Sequence, residues 1–130
     1  MSSGQRVVCN SSPLIWLAKI NRLSLLRTLF GEVIIPRKVY VETTSEESAD
    51  SILIGRAAKE GWIKVSEEET KEAQALAEVS GLHLREAEAI LLARGLGIDL
   101  IVDEREASAT AQIFGVRPVG TVAVLLLALA

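Results

Sequence analysis

Polar side chains directly follow two of the apolar runs that are typical of buried strands in this sequence. Asn10 follows the run 7–9, and Asp103 and Glu104 follow the run 100–102. In open sheets of parallel strands, binding and catalytic groups gather at the carboxyl ends of the strands. The pattern therefore predicts that Asn10, Asp103 and Glu104 lie at one edge of a sheet.

Two further acidic residues lie on predicted helices. Glu42 lies one to two turns into a helix that follows the β-branched run 33–35, and Glu86 lies in the first turn of a helix over 84–96. On a helical wheel the neighbours of Glu86 are apolar, so its carboxylate needs compensation for partial burial. The helix dipole and a bound cation both supply it. Glu88 is flanked in the same way, and the wheel alone does not choose between Glu86 and Glu88.

The chemistry that these residues predict depends on a metal. Carboxylates that face each other repel and raise one another's pKa unless a divalent cation keeps them ionised. A set of oxygen ligands with positions left for water suits Mg²⁺ or Mn²⁺. Such an ion activates water for attack on a phosphodiester and stabilises the charge that develops. Hydrolysis of phosphodiesters is therefore the predicted class of reaction.

Each residue also has a purely structural interpretation. Asn10 would cap the helix after strand 1, and Asp103 and Glu104 would stabilise the start of another helix. Glu42 would be a solvated helix residue. It is the convergence of these side chains that favours a functional site.

Composition limits the class of protein. The 130 residues carry a net charge of −3, which excludes the broad basic surface of non-specific nucleic-acid binders but not a nuclease that contacts phosphate through a metal. The one cysteine, Cys9, excludes an intrachain disulfide and a multi-cysteine zinc site. The sequence has neither a signal peptide nor a membrane-spanning run, which predicts a soluble cytoplasmic protein.

Alternating strands and helices are predicted to form the frame that positions the site. Aromatic residues make up only 4% of the chain, so the core must consist of Leu, Ile, Val and Ala. The alternation implies right-handed crossovers and an α/β fold with a parallel sheet covered on both faces. No repeat or linker divides residues 1–130, which are expected to form a single domain. The predicted strands are 7–9, 33–35, 62–65, 100–102 and 117–119, and the helices between them include 46–60 and 68–79.

The run 122–130 is almost entirely apolar. It is too short to cross a bilayer, which requires ~20 residues, and it predicts a buried helix that is cut short or packs on another subunit. Trp16 and Trp62 are interpreted as core or interface anchors rather than as platforms for stacked bases.

Four segments together resemble the PIN domain. They are the run 8–15 (VCNSSPLI), Ile35-Pro36 followed by Glu42, the run 84–93 (LREAEAILLA) and the run 101–105 (IVDER). The resemblance is to a prokaryotic branch with an Asn-Thr-Ser-Pro-like opening, and it extends from about Val7 to the last helix. It implies a three-layer α/β/α fold around a central parallel sheet, usually as a dimer. It also implies metal-dependent ribonuclease activity on RNA, in members that act as toxins of toxin–antitoxin pairs.

The resemblance also implies roles for individual residues. Asn10 takes the place of the family's first Asp, Glu42 that of its helix Glu and Glu86 that of its third acid, while Asp103 and Glu104 share the last position. The catalytic candidates are Asn10, Glu42, Glu86, Asp103 and Glu104. The candidate ligands of Mg²⁺ or Mn²⁺ are Asn10, Glu86 and Asp103. The candidate contacts to the RNA substrate are Ser12, Arg85 and Arg105.

Two positions depart from the family pattern. Asn10 is neutral where most PIN nucleases have Asp, which lowers the expected affinity for a metal. Arg85 stands where the branch usually has Gly, and it would either pair with Glu86 in competition with the metal or bind a phosphate. Two functions stay open. One is an endoribonuclease restrained by an antitoxin-like protein, and the other is a PIN-fold module that binds RNA or protein with an inactive site.

Overall fold

A computed structural model describes residues 5–129, in which five strands form one parallel sheet. Its order is β3-β2-β1-β4-β5, and every neighbouring pair of strands is parallel. The predicted α/β fold with a central parallel sheet is therefore confirmed. The strands are β1 (Arg6–Cys9), β2 (Glu32–Pro36), β3 (Ile63–Ser66), β4 (Leu100–Ile101) and β5 (Pro118–Val119).

Helices connect the strands along the described chain. Two of them begin about three residues later than the sequence predicts, because Ser48 and Thr70 cap them by accepting hydrogen bonds from the backbone N–H groups of Ser51 and Ala73. The helices are α1 (Ser11–Lys19), α2 (Ser24–Phe30), α3 (Arg37–Thr44), α4 (Ala49–Glu60), α5 (Lys71–Ser80), α6 (Leu84–Leu96), α7 (Arg105–Ile113) and α8 (Thr121–Leu129).

Apolar clusters cover both faces of the sheet. In β1, Val7 and Cys9 point into one cluster and Val8 into the other, as expected for side chains that alternate along a strand. The first cluster includes side chains from α1, α2 and α4, and the second includes side chains from α6 and α7. Because both faces of the central strands are buried, β1, β2 and β4 are apolar over most of their length, whereas the edge strand β3 alternates apolar and polar residues. The layers are therefore helix, sheet and helix.

Helix α8 is more exposed than the sequence predicts. Val124 is buried, but Val122, Leu126 and Leu129 are 69%, 60% and 83% exposed. The prediction of a buried helix was thus wrong for the single chain, because hydropathy shows that a run is apolar but not whether the core has room for it. Ala130, the last residue of the predicted run, lies outside the described residues. Of the helices described, none is long and apolar enough to cross a membrane.

Candidate functional site

Asn10 is a buried polar side chain at the carboxyl end of β1. It occupies the N-cap position of α1, yet its side chain makes no capping hydrogen bond. Its Nδ2 atom donates to Glu104 Oε1 over a long 3.5 Å. Its Oδ1 atom is buried without a hydrogen-bond partner among the described residues. An acceptor left unpaired in this way is unfavourable, so helix capping explains the position of Asn10 but not its side chain.

Glu104 reaches the same place from the neighbouring strand. It occupies the N-cap position of α7, and again its side chain does not cap the helix. The Oε2 atom of Glu104 accepts a 2.9 Å hydrogen bond from Ser12 Oγ. The pairing of Cys9 with Ile101 in register brings the ends of β1 and β4 together. We call Asn10, Ser12 and Glu104 the strand-end site.

Glu86 is buried near the start of α6. It is only 5% exposed, and its Oε1 atom accepts a 3.0 Å hydrogen bond from the backbone N–H of His83. This bond satisfies an otherwise free N–H at the helix start and gives Glu86 a structural role. Glu88 is equally buried at 7% exposure, so the structure confirms that both acids are shielded from water. No hydrogen bond within residues 5–129 joins Glu86 to the strand-end site.

Glu42 is paired with Arg85. The Arg85 Nε atom lies 2.8 Å from Glu42 Oε1, and both side chains are partly exposed. Of the two partners expected for Arg85, Glu86 is therefore not the one observed. The ion pair offsets the charge of Glu42, while the remaining guanidinium donors stay available for a phosphate.

Asp103 anchors the start of α8. Its Oδ1 atom accepts a 2.8 Å hydrogen bond from the backbone N–H of Thr121, and its Oδ2 atom accepts a 2.6 Å bond from Thr121 Oγ1. A Cβ atom at Gly120 would lie 3.3 Å from Asp103 Oδ1, which favours glycine at that position. The sequence interpretation missed Thr121, although the rule of strand ends applied to β5 would have pointed to it.

Three other side chains border the site. Arg105 is exposed at the start of α7. The Oγ atom of Ser11 is buried without a hydrogen-bond partner in the described chain. Burial, with a further contribution from the charge of Asp103, raises the pKa of the Cys9 thiol far above its usual range. Cys9 therefore stays protonated and is a poor nucleophile or metal ligand.

The donor set suits a hydrated ion rather than a closed metal cage. Between residues 5 and 129, no group of three or more His, Cys, Asp or Glu side chains is close enough to hold a metal. The structure brings Asn10, Ser12 and Glu104 together, but Glu42, Glu86 and Asp103 each have another partner. Mg²⁺ needs only one or two protein oxygens beside water and phosphate. The unpaired Asn10 Oδ1 and the Glu104 carboxylate are oxygens of this kind.

Comparisons with solved structures agree with the fold. The crystal structure of PAE2754 from Pyrobaculum aerophilum is 18% identical, with a TM-score of 0.65 over 97% of this chain and 96% of that chain. A PilT N-terminus domain protein, SSO1118, from the archaeon Sulfolobus solfataricus P2 is 19% identical, with a TM-score of 0.60 over 96% and 94%. At such identities the two structures show a shared fold. No curated protein matches significantly.

A family model described as a PIN domain matches residues 6–130, which is nearly the whole sequence. This match agrees with the parallel sheet that helices cover on both faces. The chain therefore belongs to the PIN-domain family.

Proposed function

We propose that this protein is a metal-dependent endoribonuclease that hydrolyses phosphodiester bonds in RNA. PIN domains are typically nucleases, they generally use divalent metal ions, and they commonly bind RNA. The observation that carries the proposal is the buried Asn10 Oδ1 atom, which has no partner in the described chain and belongs to a side chain in contact with the Glu104 carboxylate. A cation bound beside the Glu104 carboxylate would neutralise it, and a flip of the Asn10 amide would turn Oδ1 towards that cation and satisfy it.

In this proposal the strand-end site holds Mg²⁺ or Mn²⁺ through Asn10 and Glu104. The bound ion supplies stabilisation of negative charge on the phosphodiester. Ser12 fixes the Glu104 carboxylate through its 2.9 Å hydrogen bond, so that the ligand is oriented before the ion binds. Glu86 and Asp103, each held in position by a backbone N–H, would add negative charge around the site without being direct ligands of the ion.

Arginine side chains are proposed to bind the RNA backbone. Arg85 is oriented by Glu42 and keeps donors free for a phosphate oxygen, and Arg105 lies next to Glu104 in the chain. Charge-assisted hydrogen bonds from guanidinium groups suit phosphate geometry. They would supply locally the positive charge that the acidic chain lacks overall.

The test is a cleavage assay on single-stranded and structured RNA. We expect cleavage with Mg²⁺ or Mn²⁺ and none with excess EDTA. Replacing Glu104 by Gln keeps the size of the side chain but removes the ligand charge, and should lower kcat/KM by at least about 100-fold. Glu106→Gln, an equal change at an exposed residue of α7, should have little effect. Equal activity of Glu104→Gln and the wild type would refute the assigned site.

A second function is favoured by a different observation. Asn10 is neutral, Glu42 is paired with Arg85, and Asp103 is bonded to Thr121, so the acidic field is weaker than a cluster of free carboxylates would give. A PIN-fold module that binds RNA or protein without cleaving it fits these features. If the protein binds RNA and leaves it uncleaved both with and without divalent ions, this function is supported over the nuclease.

The biological setting follows from the same proposal. We propose that the nuclease acts in the cytoplasm as the toxin of a toxin–antitoxin pair, restrained by a partner that inserts a basic side chain at the strand-end site. Induced expression of the wild type should then arrest growth, whereas Glu104→Gln should not. Co-expression of a cognate partner should restore growth.

A further inference from the structure

A groove lies on the face of the sheet that α6 covers, away from the strand-end site. Its volume is about 410 Å³, and its lining includes Ile34, Leu91, Leu92 and Leu96. A smaller depression of about 180 Å³ shares Glu88 and Thr70 with it. The rest of the lining includes charged side chains, among them Arg6, Glu32 and Lys64, so the groove combines an apolar wall with polar groups, as ligand sites do.

Glu88 is the charged group that both parts of this groove share. It is 93% buried, and its Oε1 atom has no hydrogen-bond partner in the part of the chain described. Burial is the main cause that raises the pKa of Glu88, and the charge of Glu69 adds to it. The charge of Lys38 acts in the opposite direction without cancelling the rise. The carboxylate therefore lacks the partner that a buried anion requires.

Four cations line the two parts of the groove, namely Arg6, Lys38, Lys64 and Lys71, and none of them forms an ion pair with Glu88 in the described chain. Lys38 Nζ lies 3.6 Å from Glu69 Oε1, and Lys64 Nζ lies 3.8 Å from Glu32 Oε2. Glu88 is therefore a buried carboxylate without an ion pair in the described chain, and it lies beside Leu91 and Leu92.

We propose that this groove binds a guanidinium or primary ammonium group carried on a short alkyl chain. The cation would lie at Glu88, and the alkyl chain would lie against Leu92 and Leu96. The lining of the groove accounts for both parts of the ligand. The cation would donate a charge-assisted hydrogen bond to Glu88, and the alkyl chain would bury apolar surface against the leucines. The site is separate from the proposed nuclease site, since its lining includes none of Asn10, Ser12 and Glu104. The ligand is either a free small cation or a basic side chain of a partner polypeptide.

The experiment compares two ligands of nearly equal shape by proton–nitrogen correlation NMR. We expect n-butylguanidinium to shift the amide signals of Thr70, Leu91 and Gly95, and to bind at least about tenfold more tightly than neutral n-butylurea. Glu88→Gln should abolish this preference. Glu78→Gln removes the same charge from an exposed position of α5 outside the groove and should keep the preference.

Several results would overturn the proposal. They are no shift with either ligand, equal affinity for both ligands, wild-type preference in Glu88→Gln, or shifts confined to the strand-end site. If Glu88→Gln does not fold, the wild-type comparison of the two ligands decides alone. The peptide acetyl-Leu-Arg-Leu-amide distinguishes a free small cation from a basic side chain of a partner polypeptide as the ligand. Tighter binding than n-butylguanidinium supports a partner side chain, and equal or weaker binding supports a free cation.

Discussion

Asn10 and Glu104 occupy helix N-cap positions without capping their helices. Ser48 and Thr70 show what capping looks like in the same molecule, because their side chains accept hydrogen bonds from backbone N–H groups three residues later. The side chains of Asn10 and Glu104 instead turn towards each other. Local helix stability therefore does not account for these two residues, which supports a role in binding.

Replacing Asn10 by Asp, the residue that most PIN nucleases have at this position, should strengthen metal binding. Asn10→Asp adds a carboxylate beside Glu104, and we expect the affinity for Mn²⁺ to rise by about tenfold or more in a calorimetric titration. Cleavage of RNA should rise with it. Asn21→Asp adds the same charge at an exposed residue whose positive φ of 57° an Asp tolerates. An equal gain in both variants would mean that overall charge, and not position 10, controls binding.

Glu88 should make stability depend on pH. Because burial raises the pKa of Glu88 in the folded protein, the stability linked to its protonation is complete below the unfolded value near 4.5 and is lost as pH rises through the folded value. Glu88→Gln should therefore melt at a higher temperature than the wild type at neutral pH. The difference should vanish in acid. Glu78→Gln is the control, and a lower melting temperature of Glu88→Gln at neutral pH would contradict this assignment.

Among the helices, α8 depends most clearly on a side chain from elsewhere in the chain. Asp103 follows β4 and binds both the N–H and the hydroxyl of Thr121, so one carboxylate links the end of a strand to the start of α8. The start of helix α6 is also stabilised by a carboxylate, because Glu86 accepts a hydrogen bond from the backbone N–H of His83. Two candidate metal ligands therefore also stabilise helix starts.

Removing the Asp103 carboxylate should destabilise the fold through α8. We expect Asp103→Ala to reduce the free energy of unfolding by about 1 kcal/mol, the usual contribution of a helix cap. That loss corresponds to a fall of roughly 4 °C in Tm. Glu106→Ala, at an exposed residue with no side-chain hydrogen bond in the described chain, should change little. Denaturant unfolding measures both, and unchanged stability of Asp103→Ala would show that the two bonds to Thr121 contribute nothing.

In the whole molecule, the sheet is covered on both faces, yet an apolar stripe stays open on α8. Val122, Leu126 and Leu129 recur at helical spacing, so they lie on one side of the helix. A stripe of this kind is typical of a surface that packs on another chain. The dimer implied by the family resemblance would cover it, and the apolar area of α8 supports placing the dimer contact there.

We therefore predict a homodimer that depends on α8. The wild type should elute with a light-scattering mass of twice the 14.0 kDa chain. The double variant Val122→Ser, Leu126→Ser should be monomeric, because it removes apolar area from the contact. The variant Val79→Ser, Ile113→Ser removes side chains that are 88% and 82% exposed elsewhere and should stay dimeric. A monomeric wild type at all concentrations would refute the prediction.

The central strands of the sheet follow directly from the sequence, because strands that are buried on both faces are mostly apolar. The runs 7–9 and 100–102 therefore identify β1 and β4, and the rule of strand ends places Asn10 and Glu104 at one edge. The sequence also identifies the family, through motifs in the right order. The strands and the family motifs are patterns within a few neighbouring residues, so they can be recognised in the sequence alone.

The partners of each side chain depend on the folded chain. The helical wheel could not separate Glu86 from Glu88, and the fold buries both. Glu86 accepts a hydrogen bond from a backbone N–H, whereas the Oε1 atom of Glu88 has no partner in the described chain. Arg85 pairs with Glu42 and Asp103 with Thr121 across 43 and 18 positions of sequence. Hydropathy likewise predicted burial for α8, whose stripe is exposed. Such contacts join residues far apart in the chain, and only packing in three dimensions determines which of them meet.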